Sequence, residues 1–359
     1  MKKETAANSK TQFYINLLVM IVCPASIAVS TLIAALDTSN DFIRQYAWVA
    51  LFVELLLFFY TARLFIERQG GKTRFGLVKI MKVEWLFAIC AGIALFYLAT
   101  ACNSLLHELY RALGVRVTGS SPMEGLFGWR LLAAVLLIAV IPGMAEETFF
   151  RGALLYAWLP GGRRRAILHS ALVFSLLHLQ PQILPIFVPM GILFSYIAVK
   201  TGSCYTSMGM HIGYNFMVVL YNYAVQGAQT AQSAAQSATI MDMLPGLIQF
   251  MVFGLTLGYL SLRFLFRASR RRQEAMMKVT SALYKNVQNA VMRDYEGMDA
   301  AQGEHADGEE VVADISPKAA HGRIRSYEKM SKIAVTITYI LLVGLNVLAA
   351  VQLFSVAGG

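Results

Sequence analysis

Ionisable side chains occur inside a strongly apolar segment near the middle of the chain. Residues 145–152 read Ala-Glu-Glu-Thr-Phe-Phe-Arg-Gly, which places two carboxylates and a guanidinium in one helix-length run. On insertion scales, each such charge costs about 2.5–3.5 kcal/mol at the centre of a bilayer. A helix that served only as a membrane anchor would be destabilised in the bilayer by these charges and would have no use for them. We therefore expect Glu146, Glu147 and Arg151 to serve a site or to pair with one another.

The spacing of these three residues separates their roles. Glu147 and Arg151 are four apart, so they share a helix face and can form an ion pair. Glu146 lies about 100° further around the helix and is free to point towards a reactant. The alternative is a buried ion pair that only fixes helix packing. Gly143, one turn before Glu147, would let a neighbouring helix approach closely.

Two later apolar segments carry histidines. One contains His178, and the other places Ser207, His211 and Asn215 on one stripe at four-residue spacing. A single intramembrane histidine is most often a hydrogen-bond partner between helices. We interpret Ser207 as a residue that contributes to helix packing. Counted from the inferred cytoplasmic helix ends, however, Glu146, His178, His211 and Asn215 all lie at depths of roughly 12–18 Å. A common depth on three helices predicts one buried polar site.

The rest of the sequence indicates what holds these residues. Hydrophobic residues make up 57% of the chain and charged residues only 14%, against a usual charged share of about 25%. Runs long enough to span a bilayer lie near 12–36, 45–66, 84–106, 129–158, 203–226, 243–266 and 332–356. A further run, 166–200, contains three prolines and predicts two short helices that meet near Gln180–Gln182. The predicted fold is all-α, a polytopic transmembrane bundle of about eight or nine helices.

Charge predicts the orientation of this bundle. The net charge is +10, and Lys and Arg gather in alternate connections between the apolar runs. The positive-inside rule then places the N-terminus in the cytoplasm and the C-terminus outside, as in a multi-pass protein of the cell membrane. The expected partner of the bundle is thus the lipid bilayer. Binding of nucleic acid is not expected, because the sequence contains no basic stripe with interleaved aromatic residues. Glu54, inside the second run, is interpreted as a packing or pathway residue and receives no role.

The predicted organisation has five parts. Residues 1–128 hold N-terminal transmembrane helices, 129–226 the catalytic core, 227–266 an external loop and a helix, 267–331 a cytoplasmic region, and 332–359 a C-terminal transmembrane helix. Within the cytoplasmic region, apolar residues at steps of three and four over 273–295 predict an amphipathic helix on the inner membrane surface. The acidic stretch 296–322 predicts a disordered linker.

Three motifs in the core together resemble the CPBP family of intramembrane proteases, also called ABI. The family includes the Ras-converting type of CaaX prenyl endopeptidase and bacterial bacteriocin-processing proteins. Its pattern, EExxxR, FxxxH and HxxxN, is met by Glu146-Glu147 with Arg151, by Phe174 with His178, and by His211 with Asn215. The resemblance covers about 129–226 and implies a CPBP/ABI-type catalytic core that hydrolyses peptide bonds of membrane-associated or lipidated substrates.

The resemblance also implies a role for each motif position. Glu146 would activate water as a general base, His178 would help to hold that water, and Asn215 would donate to the oxyanion. His211 would assist, and Glu147 with Arg151 would support the site. These roles suit amide hydrolysis, which needs a base, a positioned water and an oxyanion donor.

Metal dependence and the broader class both have alternatives. Glu146, His178 and His211 could form a His₂Glu zinc site with water as the fourth ligand, so the cofactor is either none or a divalent metal such as zinc. Intramembrane Glu and His also build proton relays, which makes a transporter or channel the main alternative to a protease. No inverted repeat supports that alternative. A non-catalytic scaffold that binds peptides is the third interpretation. No motif selects a substrate or an oligomeric state.

Overall fold

The computed structural model describes most of the chain. Its backbone covers residues 2–36, 41–115, 128–229, 240–299 and 317–355. Side chains are described for residues 8–29, 52–115, 128–225, 243–289 and 326–351.

Within these ranges the chain forms nine helices and no strand. They are α1 (Lys2–Leu36), α2 (Asp41–Arg68), α3 (Lys82–Ala112), α4 (Trp129–Gly161), α5 (Arg163–Leu177), α6 (Leu184–Thr201), α7 (Cys204–Gln229), α8 (Ile240–Asp299) and α9 (Pro317–Ser355). Among the residues described, six segments are long and apolar enough to cross a membrane, and they lie in α1, α3, α4, α6, α8 and α9. The prediction of an all-α, polytopic transmembrane bundle is confirmed.

The predicted break between two short helices lies where the prolines indicate. Helix α5 ends at Leu177, a 3₁₀ turn covers Pro181–Ile183, and α6 starts at Leu184. Proline disfavours helical geometry in the residue before it, so the chain cannot continue as one helix through Gln180. The turn at 178–183 therefore joins α5 to α6 and carries His178.

Helix α8 is longer than the sequence pattern indicated. It continues from Ile240 to Asp299, so the amphipathic stretch 273–295 is its continuation and not a separate helix. No glycine or proline occurs between Gly258 and Gly297, and nothing therefore ends the helix at the predicted boundary. Side chains 274–289 are exposed. The predicted linker, 296–322, is helical at its two ends, and its centre lies outside the described residues.

The bundle is held closely where α3 meets α7. A Cβ atom placed on Gly92 would lie 1.9 Å from the carbonyl oxygen of Met210, and one on Gly213 would lie 2.3 Å from that of Ile89. Glycine therefore allows the two backbones to touch directly. Around this pair, α8 packs along α3, α9 packs along α1, and α5 packs against α6.

A buried ion pair joins the middle of α8 to the start of α3 and lies beside the end of α6. Arg272 Nε of α8 lies 2.9 Å from Glu84 Oε2 at the start of α3, and the Glu84 side chain is fully buried. Ser269 Oγ donates to Glu84 Oε1 at 2.6 Å, while Arg272 Nη2 donates to the carbonyl of Thr201 at 2.7 Å. The pair thus links α3, α8 and the last turn of α6. No pattern in the sequence indicated this pair.

Candidate active site

The acidic motif of α4 forms the predicted ion pair. Arg151 Nη1 donates to Glu147 Oε1 at 2.8 Å, and both side chains are fully buried. Arg151 Nη2 also approaches the carbonyl of Gly191 in α6 at 3.3 Å. The guanidinium lies over the ring of Phe174, 4.2 Å from its centroid, where cation–π attraction adds to the pairing. Arg151 therefore connects α4 to both α5 and α6.

Glu147 has a second partner on α7. His211 Nδ1 lies 3.0 Å from the same oxygen, Glu147 Oε1, and the His211 ring stacks on Phe194 with centroids 5.3 Å apart. A carboxylate accepts hydrogen bonds, so the proton of a neutral His211 lies on Nδ1 and its lone pair on Nε2. Glu147 thereby sets both the orientation and the tautomer of His211.

His178 is held by the end of its own helix. It follows the last residue of α5, and its Nδ1 donates to the carbonyl of Phe174 at 2.8 Å. The half-buried ring lies between Phe174 and Phe187, with centroid distances of 4.8 and 4.7 Å. A carbonyl only accepts, so the lone pair of a neutral His178 also lies on Nε2. Phe174 further contacts the His211 ring at 5.9 Å, and it therefore packs against both histidines.

Glu146 lies beside this cluster but is not tied into it. Its side chain is half-buried and forms no hydrogen bond with the described residues. It is close enough to His211, Glu147 and Arg151 to interact with their charges. The pairing of Glu147 with Arg151 is thus observed, while the availability of Glu146 to a reactant stays a prediction.

A third carboxylate, that of Glu54 in α2, lies within electrostatic range of Glu146. Glu54 interacts electrostatically with Glu146 and accepts a hydrogen bond from Ser26 Oγ of α1. Phe58, one turn after Glu54, packs on Phe149 with ring centroids 5.0 Å apart. In the sequence, Glu54 was interpreted as a packing or pathway residue without an assigned role. Its position as an acidic residue inside an apolar run was the signal that could have pointed to the site.

Asn215 contacts α4 rather than the two histidines. Its Nδ2 donates to the carbonyl of Ile138 at 2.9 Å. That carbonyl would normally bond the N–H of residue 142, which is proline and has none. The same proline follows a π-helical segment, Val135–Val140, of the kind often found at functional sites. One of the two Asn215 N–H donors is thus used by α4, and the second remains for another acceptor.

Two other predictions from spacing can be located. A Cβ on Gly143 would lie 2.5 Å from Ile212 Cγ1, so α4 and α7 approach closely there, as expected. Ser207 Oγ donates to the carbonyl of Cys204 in its own helix and also lies beside the Glu147 carboxylate, so a packing role alone stays a prediction.

The described residues do not fit a metal centre. No three His, Cys, Asp or Glu side chains among them are grouped as ligands of one ion. The set considered above, Glu146, His178 and His211, is not arranged in that way. No step proposed below passes through a metal.

Comparison with known families agrees with the motifs. The family model described as type II CAAX prenyl endopeptidase Rce1-like matches residues 128–217, which contain all the predicted site residues. No curated protein and no solved structure matches the chain. The resemblance to the CPBP family is therefore confirmed over this segment. It supports an intramembrane protease of CAAX type in general, an integral membrane protein that acts on membrane proteins or peptides.

Proposed function

We propose that the protein is an endopeptidase that hydrolyses membrane-associated or lipidated substrates with water activated by Glu146. The observation that carries this proposal is His211 beside Glu146, a carboxylate that forms no hydrogen bond with the described residues, together with His178, which packs on the same Phe174 ring as His211. His178 and His211 both use Nδ1 in a bond to an acceptor, which leaves Nε2 of each ring for the reaction. Glu146, next to Glu147 on α4, lies within electrostatic range of His211.

The proposed reaction begins at the water. Glu146 removes one proton from it while His178 Nε2 accepts a hydrogen bond from the O–H that remains, and the oxygen attacks the carbonyl carbon of the scissile bond. The second N–H of Asn215 donates to the oxyanion that forms. When the C–N bond breaks, Glu146 returns the proton to the leaving amine. The atoms therefore balance as one water consumed for each peptide bond cleaved.

The remaining motif residues position this machinery. Glu147 holds His211 through Nδ1 and so keeps Nε2 of that ring free to assist in the site. Arg151 holds Glu147 and contacts α5 and α6. The positioning of both histidines thus depends on α4.

The test uses the purified full-length protein in liposomes with a fluorogenic CaaX peptide, supplied with and without a farnesyl group. We expect cleavage by the wild type and a fall in kcat of about 10²–10⁴-fold in Glu146→Gln, the usual contribution of a general base. Glu67→Gln is the control, because Glu67 forms an exposed pair with Arg63 at the surface. Unchanged cleavage by Glu146→Gln would refute the assignment of the base. If neither peptide is cleaved, the membrane proteomes of cells that carry the wild type and Glu146→Gln are compared. Protein fragments that occur only with the wild type would support a protease. If those fragments are absent and Glu146→Gln abolishes solute flux, the protein is a transporter.

Metal dependence has a separate test. We propose that Glu146 and the two histidines act without metal, because the described side chains are not grouped as ligands. Activity that survives chelation, with no stoichiometric metal in the purified protein, supports this proposal. Stoichiometric zinc with activity that is lost on chelation and restored by zinc would overturn it.

We also propose that the protein lies in the cell membrane with its N-terminus in the cytoplasm. The three arginines Arg163, Arg164 and Arg165 are exposed at the start of α5, where a cytoplasmic connection requires charge. The proposal predicts that single cysteines placed at Arg164 resist a membrane-impermeant thiol reagent in intact cells and react after permeabilisation. The control is a cysteine in the connection 227–241, which we expect to react in intact cells.

A further inference from the structure

The turn after α5 fixes the position of His178. The N–H of His178 bonds the carbonyl of Ser175 at 3.4 Å, and the N–H of Leu179 bonds that of Leu176 at 3.3 Å. Leu179 has φ of +50°, and it is the only non-glycine residue in the described chain with positive φ. A left-handed leucine costs about 1–2 kcal/mol, so contacts from elsewhere must hold this turn.

One such contact comes from the C-terminal helix. Asn346 of α9 donates from Nδ2 to the carbonyl of Leu176 at 2.7 Å and to that of Leu342 in its own helix at 2.8 Å. Its side chain is 5% exposed. Because both amide hydrogens meet carbonyl oxygens, the reversed orientation would place Oδ1 against two acceptors and is excluded. Asn346 therefore acts as a donor, and its acceptor, Leu176, lies two residues before His178.

The far end of the same turn is held from another helix. Tyr110 of α3 donates from its hydroxyl to the carbonyl of Gln182 at 2.8 Å. The backbone of the turn is thus bonded at Leu176 by α9 and at Gln182 by α3. The bond to the Leu176 carbonyl is buried, where no water can replace the donor, so it restrains the turn strongly, whereas the bond at Gln182 is partly buried.

We propose that Asn346 is a positioning residue for His178. The His178 ring bonds to the carbonyl of Phe174, within the same last turn of α5, so a displacement of that turn moves Nε2 with it. The inference rests on the proposed function, in which Nε2 holds the water. It also gives α9, which lies outside the matched segment 128–217, a part in the reaction.

The test compares Asn346→Leu, which keeps the branching at Cγ and removes the donor, with Thr338→Val. Thr338 is buried in the same helix, and its hydroxyl bonds only the carbonyl of Ala334. With the peptide cleaved by the wild type, we expect kcat to fall about 10–100-fold in Asn346→Leu with KM unchanged, since misplacement by about 1 Å costs up to 10²-fold. Thr338→Val should keep the wild-type kcat, and Asn346→Gln, which restores a donor, should recover part of the loss.

A second readout does not depend on cleavage. Modification by diethylpyrocarbonate, followed residue by residue with mass spectrometry, reports the access to each histidine. We expect His178 to react at least threefold faster in Asn346→Leu, while His169, which bonds Tyr339 of α9 at 2.8 Å, keeps its wild-type rate. An unchanged His178 rate would overturn the inference, whether or not the protein cleaves peptides. Faster modification of both histidines would also overturn it, because α9 would then have detached as a whole.

Discussion

Replacement of Glu147 by glutamine tests whether the cluster depends on a buried charge pair. Glutamine has nearly the same shape and retains an oxygen that can accept from Arg151 and His211. The substitution therefore removes charge and leaves the geometry. Both side chains of the Glu147–Arg151 pair are fully buried, so Arg151 is left as a buried cation that has lost its ion-pair partner and keeps only the more distant interaction with Glu146.

The expected loss follows from that burial. Removal of one partner from a buried ion pair costs about 3–5 kcal/mol. Arg151 keeps its contacts with the Gly191 carbonyl at 3.3 Å and with the Phe174 ring at 4.2 Å, which places the expected loss near the lower end, about 3 kcal/mol. A loss of that size is about a hundredfold in the equilibrium constant for unfolding.

The assay is reversible unfolding in mixed micelles with increasing sodium dodecyl sulfate. Arg151→Met and the double variant complete a thermodynamic cycle, in which we expect a coupling energy of about 2–3 kcal/mol. The pair Arg63 and Glu67 has the same residue types and four-residue spacing but is 27% and 53% exposed, and its cycle should give about 0.5 kcal/mol. Equal coupling energies for the two pairs would refute the reasoning from burial.

Three further predictions use the same unfolding assay. Gly92→Ala should destabilise the protein by at least about 1–3 kcal/mol, because its Cβ would lie 1.9 Å from a carbonyl oxygen of α7, whereas Gly246→Ala, with no atom within 4 Å, should not. Leu179→Gly should be about 1 kcal/mol more stable than Leu179→Ala, since both lose the side chain and only glycine relieves the positive φ. Arg272→Met should cost about 3 kcal/mol through its buried partner on α3, and Arg271→Met, at an exposed position, less than about 0.5 kcal/mol.

The features that could be predicted from the sequence are encoded locally. Apolar runs of spanning length indicated the helices, and prolines indicated the break at 178–183. Charges inside an apolar run are costly enough to mark Glu147 and Arg151, and a spacing of four residues was sufficient to pair them. Each of these inferences needed only one segment of the chain.

The features that could not be predicted depend on which helices become neighbours. Glu84 and Arg272 are 188 residues apart, and Asn346 and Leu176 are 170 apart. Arg272 also belongs to a run of basic residues whose expected role was to mark a cytoplasmic connection. Local spacing carries no signal that one arginine of such a run turns inwards to a buried carboxylate.

Polar side chains that bond carbonyls of neighbouring helices explain how the motif helices keep their register. Asn215 of α7 bonds the Ile138 carbonyl that a proline leaves open, and Ser170 of α5 bonds that of Phe150 inside a second π-helical segment at 2.8 Å. These two segments flank the turn of α4 that carries both glutamates. Such bonds are strong in a bilayer because no water competes for the carbonyl. A polar residue inside a helix can therefore be a packing contact and a determinant of the site at once, since the contact sets the register in which the reactive groups meet.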